Sequence, residues 1–173
     1  MKSKLTAPSI ATVAATIMAA CLGTVLFVGP NSAQSAKDPV GSYTLVSAVM
    51  ELDGKKSDTY GPNAKGALTL DANGRYVLVF MRASLPKFAS NNRMTGTPDE
   101  NKAIVQGSFA SFGAYSINAA EKTIIFRVEN ATFPNWNGDE QKRSFTLSGD
   151  DLKYVVAAAS GGGIATVTWK RAK

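Results

Sequence analysis

The sequence predicts an all-β protein: an antiparallel, up-and-down β-barrel of about eight strands, with one short helix capping an end. Three observations carry that expectation. Turn signals recur along the chain: Asp53-Gly54, Asn73-Gly74, Asn118 to Lys122, Asn137-Gly138, Gly149-Asp150 and Gly161-Gly162-Gly163. The runs between them are rich in Val, Ile, Thr, Tyr and Phe, the residues that suit a pleated, half-buried surface. A single longer insert, Ser84 to Ala103, interrupts the series and carries a helix start.

Strands are expected near 41–52, 65–71, 74–83, 109–117, 122–132, 140–148, 151–158 and 163–171. Most neighbours are joined by short polar turns, which makes antiparallel hairpins. A meander of this kind forms a sandwich or closes on itself. Closure removes exposed strand edges and suits consecutive short connections, so the barrel is preferred. The helix begins at Thr97-Pro98-Asp99-Glu100: a hydroxyl N-cap, proline at the first helical position and glutamate at the third, the capping-box arrangement. Asp99 and Glu100 also suit the positive end of the helix dipole. Ile104, Val105 and Phe109 supply one apolar side, and Gly107 marks the end. A short one-sided helix needs a surface to lie on, and an open barrel end offers one. The insert is longer than a hairpin requires, and such loops often carry function.

The first 36 residues differ from the rest. Lys2 and Lys4 precede a stretch without charge, Leu5 to Ala36, whose apolar core is IATVAATIMAACLGTVLFVG. A basic start, an apolar run and the small residues of NSAQSA form an export signal, with Ala33 and Ser35 placing cleavage before Ala36. Two variants compete with cleavage. Residues 7–28 are long enough to stay as a membrane anchor, and Met18-Ala19-Ala20-Cys21 resembles a lipidation site at Cys21. The expected division is therefore 1–36, signal peptide or anchor, and 37–173, the barrel domain. Localisation follows: secreted or periplasmic, with the membrane met only through the N-terminal segment.

Composition narrows the chemistry. Hydrophobic residues are 45% and charged residues 18%, a balance that argues for a packed core and against disorder. Cys21 is the only cysteine, so no disulfide can form within the barrel domain and thiol catalysis there is excluded. The chain has no histidine, which excludes a Ser-His pair and a His-ligated metal. No cofactor is expected. The net charge is +6, but the basic residues are scattered rather than gathered in a stripe, so no nucleic-acid partner is expected. Ser160-Gly161-Gly162-Gly163 lacks the lysine and following helix of a phosphate loop and reads as a hairpin turn.

Alternation along the strands marks where a ligand would go. Both sides of Tyr76 to Arg82 are apolar. In Thr123 to Phe133, one side carries Ile124, Phe126 and Val128, and the other carries Ile125, Arg127, Glu129, Ala131 and Phe133. The second side fits either a mostly apolar pocket with polar anchors or a water-facing surface. Arg82 ends a hydrophobic strand just before the insert, where it either meets a carboxylate at the barrel mouth or caps the strand in solvent. Tyr115 offers an internal hydroxyl or a core contact. Phe133-Pro134-Asn135-Trp136 is an aromatic turn at one rim, with Trp136 a packing residue or a ligand contact. The candidate ligand-binding set is Arg82, Tyr115, Arg127, Glu129, Phe133 and Trp136. No catalytic set is assigned.

Taken together, Gly41 to Ser47, Tyr60 to Gly66, Asp71 to Tyr76, Pro86 to Ser90, Gly96-Thr97-Pro98, Phe112 to Tyr115 and Phe133 to Trp136 resemble the bacterial and fungal lipocalin-like domain family. The resemblance spans Pro39 to Lys173 and implies a lipocalin-type antiparallel barrel. Lipocalins open with Gly-x-Trp, the ring packed near an arginine from the end of the barrel. Here Gly41-Ser42-Tyr43 carries tyrosine instead, and Arg171 is the candidate partner.

The functional reading that follows is an exported protein binding a small, mostly apolar ligand in the barrel, neutral or acidic, with an arginine to orient an acid group. A cyclase or isomerase with Glu129 or Tyr115 as acid or base is the alternative, by analogy with similar barrels. A third reading is a barrel filled by its own side chains, used for interactions in the cell envelope.

Overall fold

A computed structural model describes residues 38–173. The expected export signal, the alternative anchor at 7–28 and Cys21 lie outside the described residues. The strands are β1 (Gly41–Leu52), β2 (Lys55–Asp58), β3 (Lys65–Leu70), β4 (Arg75–Met81), β5 (Ser108–Asn118), β6 (Thr123–Ala131), β7 (Glu140–Ser148), β8 (Asp151–Val156) and β9 (Ile164–Arg171), with one α-helix, α1 (Pro98–Gly107). Eight of them, β1 and β3 to β9, pair in sequence order, and β9 pairs back onto β1, so the antiparallel barrel closes. The eight expected strands are all present. β2 is the addition: a short exposed ribbon, Lys55 to Asp58, with no apolar alternation to announce it. Asp53 and Gly54 make it by turning with positive φ, 51° and 73°, the geometry of a tight hairpin loop.

Closure depends on β1 serving two partners. Its first residues, Gly41 to Thr44, pair with β3. A bulge between Leu45 and Ser47 then bends the strand, while the pairs from Tyr43 to Glu51 join it to β9. Gly66 permits the close approach here: a Cβ at that position would lie 2.7 Å from the Val79 carbonyl and 3.0 Å from Leu45.

Inward positions follow the period-two rule. Leu68 and Leu70, Tyr76 and Leu78, Ile124 and Phe126, and Leu152 and Tyr154 are all buried. The middle of the barrel is occupied by an aromatic network. Tyr76 meets Phe126 edge-on at 4.8 Å, Phe126 meets Tyr154 at 6.1 Å, and Tyr154 meets Trp169 at 6.3 Å. Phe80 joins it at 5.2 Å from Trp169. Each such side chain contributes on the order of 2 kcal/mol through burial, with ring geometry adding a fraction more.

Strand alternation sorts the connections into two ends. The turns at 71–74, 119–122 and 149–150 fall at one end, with residues 38–40. The insert with α1, the β2 hairpin, the 3-10 turn Pro134–Trp136 and residues 157–163 gather at the other. Beside β1 and β9 the turn end is shut. Tyr43 Oη donates to the Pro39 carbonyl at 2.8 Å, Arg171 lies over the Tyr43 ring at 4.9 Å, and Arg171 Nη2 donates to the Asp38 carbonyl at 3.0 Å. The loop end is open at the mouth described below.

The helix carries the expected capping box: the Thr97 hydroxyl accepts from the Glu100 amide and the Glu100 carboxylate accepts from the Thr97 amide. Glu100 also accepts from the Ala89 amide at 2.8 Å, which ties the insert back to the helix start. The last turn of α1 reaches the rim with Val105 and Gln106, which border the mouth, and Val105 is exposed there.

Candidate functional site

Three adjoining spaces lie at the loop end. The mouth is a depression of about 300 Å³ bordered by β1, the residues just after β2, the end of α1 and Phe133. Beneath it is a pocket of about 50 Å³ walled by Tyr60, Phe80, Phe109, Trp136, Val156 and Val167. Beside them a cleft of about 250 Å³ opens in the wall, lined by Trp136, Gln141 to Arg143 and Val156 to Ala158, with Asp139 and Glu140 at its edge. Trp136 and Val156 border both the inner pocket and the wall cleft.

Among the described residues, the buried charged group inside the barrel is Arg143. It is 4% exposed, on the inward face of β7 with Phe145 and Leu147. Its guanidinium carbon sits 4.5 Å from the Phe126 ring centre and 5.0 Å from that of Tyr154. Nη2 donates to Gln141 Oε1 at 2.7 Å. Nε has no hydrogen-bond partner within the protein, and neither have the buried Tyr154 hydroxyl and Trp169 Nε1–H. Arg143 and Trp169 lie near enough to favour the phenolate of Tyr154, yet burial outweighs them and pushes that phenol up. The three groups face one another without completing hydrogen bonds.

Burial without a carboxylate partner sets Arg143 apart from the other arginines among the described residues. Arg75 holds Glu129, with Nη2 to Oε2 at 2.7 Å; Arg127 holds Glu140 at 3.2 Å; Arg171 is 4.0 Å from Asp150. Among the described residues no carboxylate pairs with Arg143. A buried charge without a counter-charge costs several kcal/mol. Two aromatic faces offset only about 0.5–2 kcal/mol of that.

The sequence-predicted set divides by position. Phe133 and Trp136 stand together at the loop end, 5.5 Å apart, with Trp136 also 5.4 Å from Phe109. Arg82 lies on the rim at the foot of α1, its amide donating to the Gly107 carbonyl at 2.8 Å and its side chain exposed. Tyr115 is buried at the opposite end, where its hydroxyl donates to the Asp71 carbonyl at 2.7 Å. Arg127 and Glu129 are on the outer face, each exposed and each in an ion pair. The hydrogen bonds from Arg75 hold the Glu129 carboxyl below the usual range, so it stays ionised. Of the two sides of β6, Ile124, Phe126 and Val128 form the inner one, and Arg127 and Glu129 take the water-facing alternative.

Arg143 stands outside the expected set, although the sequence marks it. In EQKRSFTLS the alternation Gln141, Arg143, Phe145, Leu147 places the arginine on the same face as two large apolar residues. No cluster of carboxylates stands by to hold a metal among the described residues. At the turn end a groove of about 370 Å³ runs beneath the β5–β6 turn beside Ile117, Phe145 and Leu147. It offers Lys122 at its edge, and none of the unpartnered buried polar atoms belongs to it.

Comparison with known proteins agrees with this architecture. The family model described as the lipocalin-like domain matches residues 40–172. Comparison with the curated proteins finds no match. A lipocalin-like barrel with an open, apolar end suits small-molecule binding in general. On the match across all nine strands, with the closed antiparallel barrel they form, this chain belongs to the lipocalin-like domain family.

Proposed function

We propose that this protein binds a small, mostly apolar acid at the loop end of its barrel, with the acid group on Arg143. The observation that carries the reading is the buried guanidinium of Arg143, flanked by two aromatic rings and free of any carboxylate partner. A carboxylate there would accept from Nε, and the Tyr154 hydroxyl and the Trp169 N–H are further donors nearby. Tyr60, Phe80, Phe109, Trp136 and Val156 supply apolar walls for the rest of the ligand. Glu129 and Tyr115, either of which is the acid or base of the cyclase or isomerase alternative, are engaged with Arg75 and Asp71 outside this space. Between binding and catalysis, binding is therefore favoured.

Titration of the full chain with decanoate and with methyl decanoate, followed by calorimetry and tryptophan fluorescence, tests the reading. The acid should bind at least about tenfold more tightly than the ester, the difference a charge-assisted pair contributes. Equal affinity for the two, or binding of neither, would count against it.

The same reading takes residues 1–36 as an export signal, on the strength of the basic start, the apolar run and the small residues before Ala36. Mass measurement of the protein from its native source decides its fate. A chain beginning at Ala36 is cleaved; one beginning at Met1 keeps residues 7–28 as an anchor.

A further inference from the structure

We infer that the acid reaches Arg143 through the wall of the barrel, between β7 and β8, rather than through the open end. The inference rests on the proposal that Arg143 receives an acid, and it names the route and the gate.

The hydrogen-bond ladders show where the wall is incomplete. β7 pairs with β6 from Glu140 to Ser144. It pairs with β8 only from Phe145 to Ser148, against Asp151 to Tyr154. Beyond Tyr154, the residues Val155 and Val156 pair with β9 alone. The upper part of β7 and the continuation of β8 thus face each other without ladder pairs. The wall cleft of about 250 Å³ lies in that gap. Ala157 and Ala158, small and exposed, form its far side.

Arg143 belongs to this cleft. It lines the cleft and borders neither the mouth nor the pocket beneath it. The downward path from the mouth is obstructed. Tyr60 stacks flat on Phe80 at 5.1 Å with 9° between the planes, and Phe109 and Trp136 meet edge-on beside them, leaving the pocket of about 50 Å³. From the side, only Trp136 and Val156 stand between the cleft and that pocket. The head of the ligand therefore settles in the wall, and displacement of Trp136 admits its apolar part. The cleft is selective for charge by depth. Asp139 and Glu140 lie at its outer edge, Glu140 already paired with Arg127, whereas Arg143 lies three residues further along β7 and is buried.

Extending the Phe145–Tyr154 register places Lys142 opposite Ala157, both facing outward across the gap. A Lys142→Cys, Ala157→Cys pair in the full chain, with Cys21→Ser, closes the cleft once mass measurement shows the disulfide formed on oxidation. The readout is modification of Arg143 by phenylglyoxal, followed by peptide mass spectrometry, in the oxidised and the reduced protein. Modification should be at least about tenfold slower when oxidised, because attack tracks the population of the open form, and should recover on reduction. Ala157→Phe, which fills the cleft without a crosslink, should slow it as well. Equal rates in both redox states, or slowing by Ser160→Trp at the mouth instead, would overturn the route. Labelling reads access and is blind to ligand, so the acid-binding reading can fail while the route stands, and the reverse.

Discussion

The guanidinium of Arg171 lies over the ring of Tyr43, 4.9 Å from its centre, and donates from its two amino groups to the carbonyls of Val40 and Asp38. The last strand thereby holds the first strand and the chain leading into it. Gly41 makes room for this, since a Cβ there would collide with Arg171, and its φ of 149° suits glycine. Tyrosine thus fills the place where lipocalins carry tryptophan, and its hydroxyl adds a bond to the Pro39 carbonyl.

Arg171→Ala should therefore lower the stability of the full chain by about 2 kcal/mol in urea unfolding, the sum of a stacked cation and hydrogen bonds to a charged donor. Arg171→Lys should restore little, because an ammonium cannot reach both carbonyls while lying flat on the ring. Tyr43→Phe removes the single hydroxyl bond and should cost about 1 kcal/mol. Full rescue by lysine would show that charge alone, through Asp150, holds this end shut.

Arg143 should behave in the opposite sense. Arg143→Met replaces a buried, unpaired charge by an apolar side chain of similar length. Stability should stay level or rise by about 1 kcal/mol, as such replacements often do, while decanoate affinity falls at least about tenfold. Arg127→Met, on the outer face in its pair with Glu140, should change neither by much. A residue kept only for the fold would show the reverse pattern, with stability lost and binding kept.

Alkali should find the barrel sensitive. All five tyrosines, at 43, 60, 76, 115 and 154, have their phenols pushed up chiefly by burial, Tyr60 and Tyr115 to about 12. A raised pKa means the folded state keeps the proton that the unfolded chain releases near 10. The stability from neutral phenols is thus complete below pH 10 and lost as the pH rises toward 12. With no histidine in the chain, no side chain of ordinary pKa titrates between about pH 6 and 8, so stability should be flat there. Urea midpoints against pH, with phenolate absorbance recorded in parallel, check both halves. A midpoint that stays constant through pH 12 would contradict the burial account.

The barrel was legible in the sequence because its cues are local: Asp53-Gly54 and Asn73-Gly74 fix turns, and Val, Ile and Phe at alternate positions fix faces. β2 was hidden because Lys55 to Asp58 pair through backbone alone and carry no apolar side. Facing was harder than existence. Arg127 and Arg143 stand on neighbouring strands in similar company, and their sides are settled by register, Arg127 opposite Glu140 and Ile124 opposite Arg143. In the neighbouring β5–β6 ladder, a bulge at Phe112 and Gly113, where a Cβ would strike the Arg127 carbonyl, shifts the register in a way composition does not reveal. The gap between β7 and β8 was out of reach of sequence for the same reason. It is an absence of pairing between segments that each look like good strand.

The helix start tests how firmly the insert is held. Glu100 accepts from the amides of Thr97 at 2.7 Å and Ala89 at 2.8 Å, and these backbone bonds keep its carboxyl below the usual range. One side chain thus joins the capping box to the loop before it, across residues with few buried contacts. Glu100→Ala should speed hydrogen exchange at the Ala89 and Thr97 amides and leave β4 and β5 protected, since the barrel does not depend on that carboxylate. Thr97→Ala should lower the local stability of the helix by about 1 kcal/mol, raising exchange from its first turn. Acid should reproduce the first effect: the contribution of a depressed carboxyl is present above its unfolded value and fades as the pH falls through the folded one. Exchange that rose equally in β4 and β5 would mean that the insert and the barrel open as one unit.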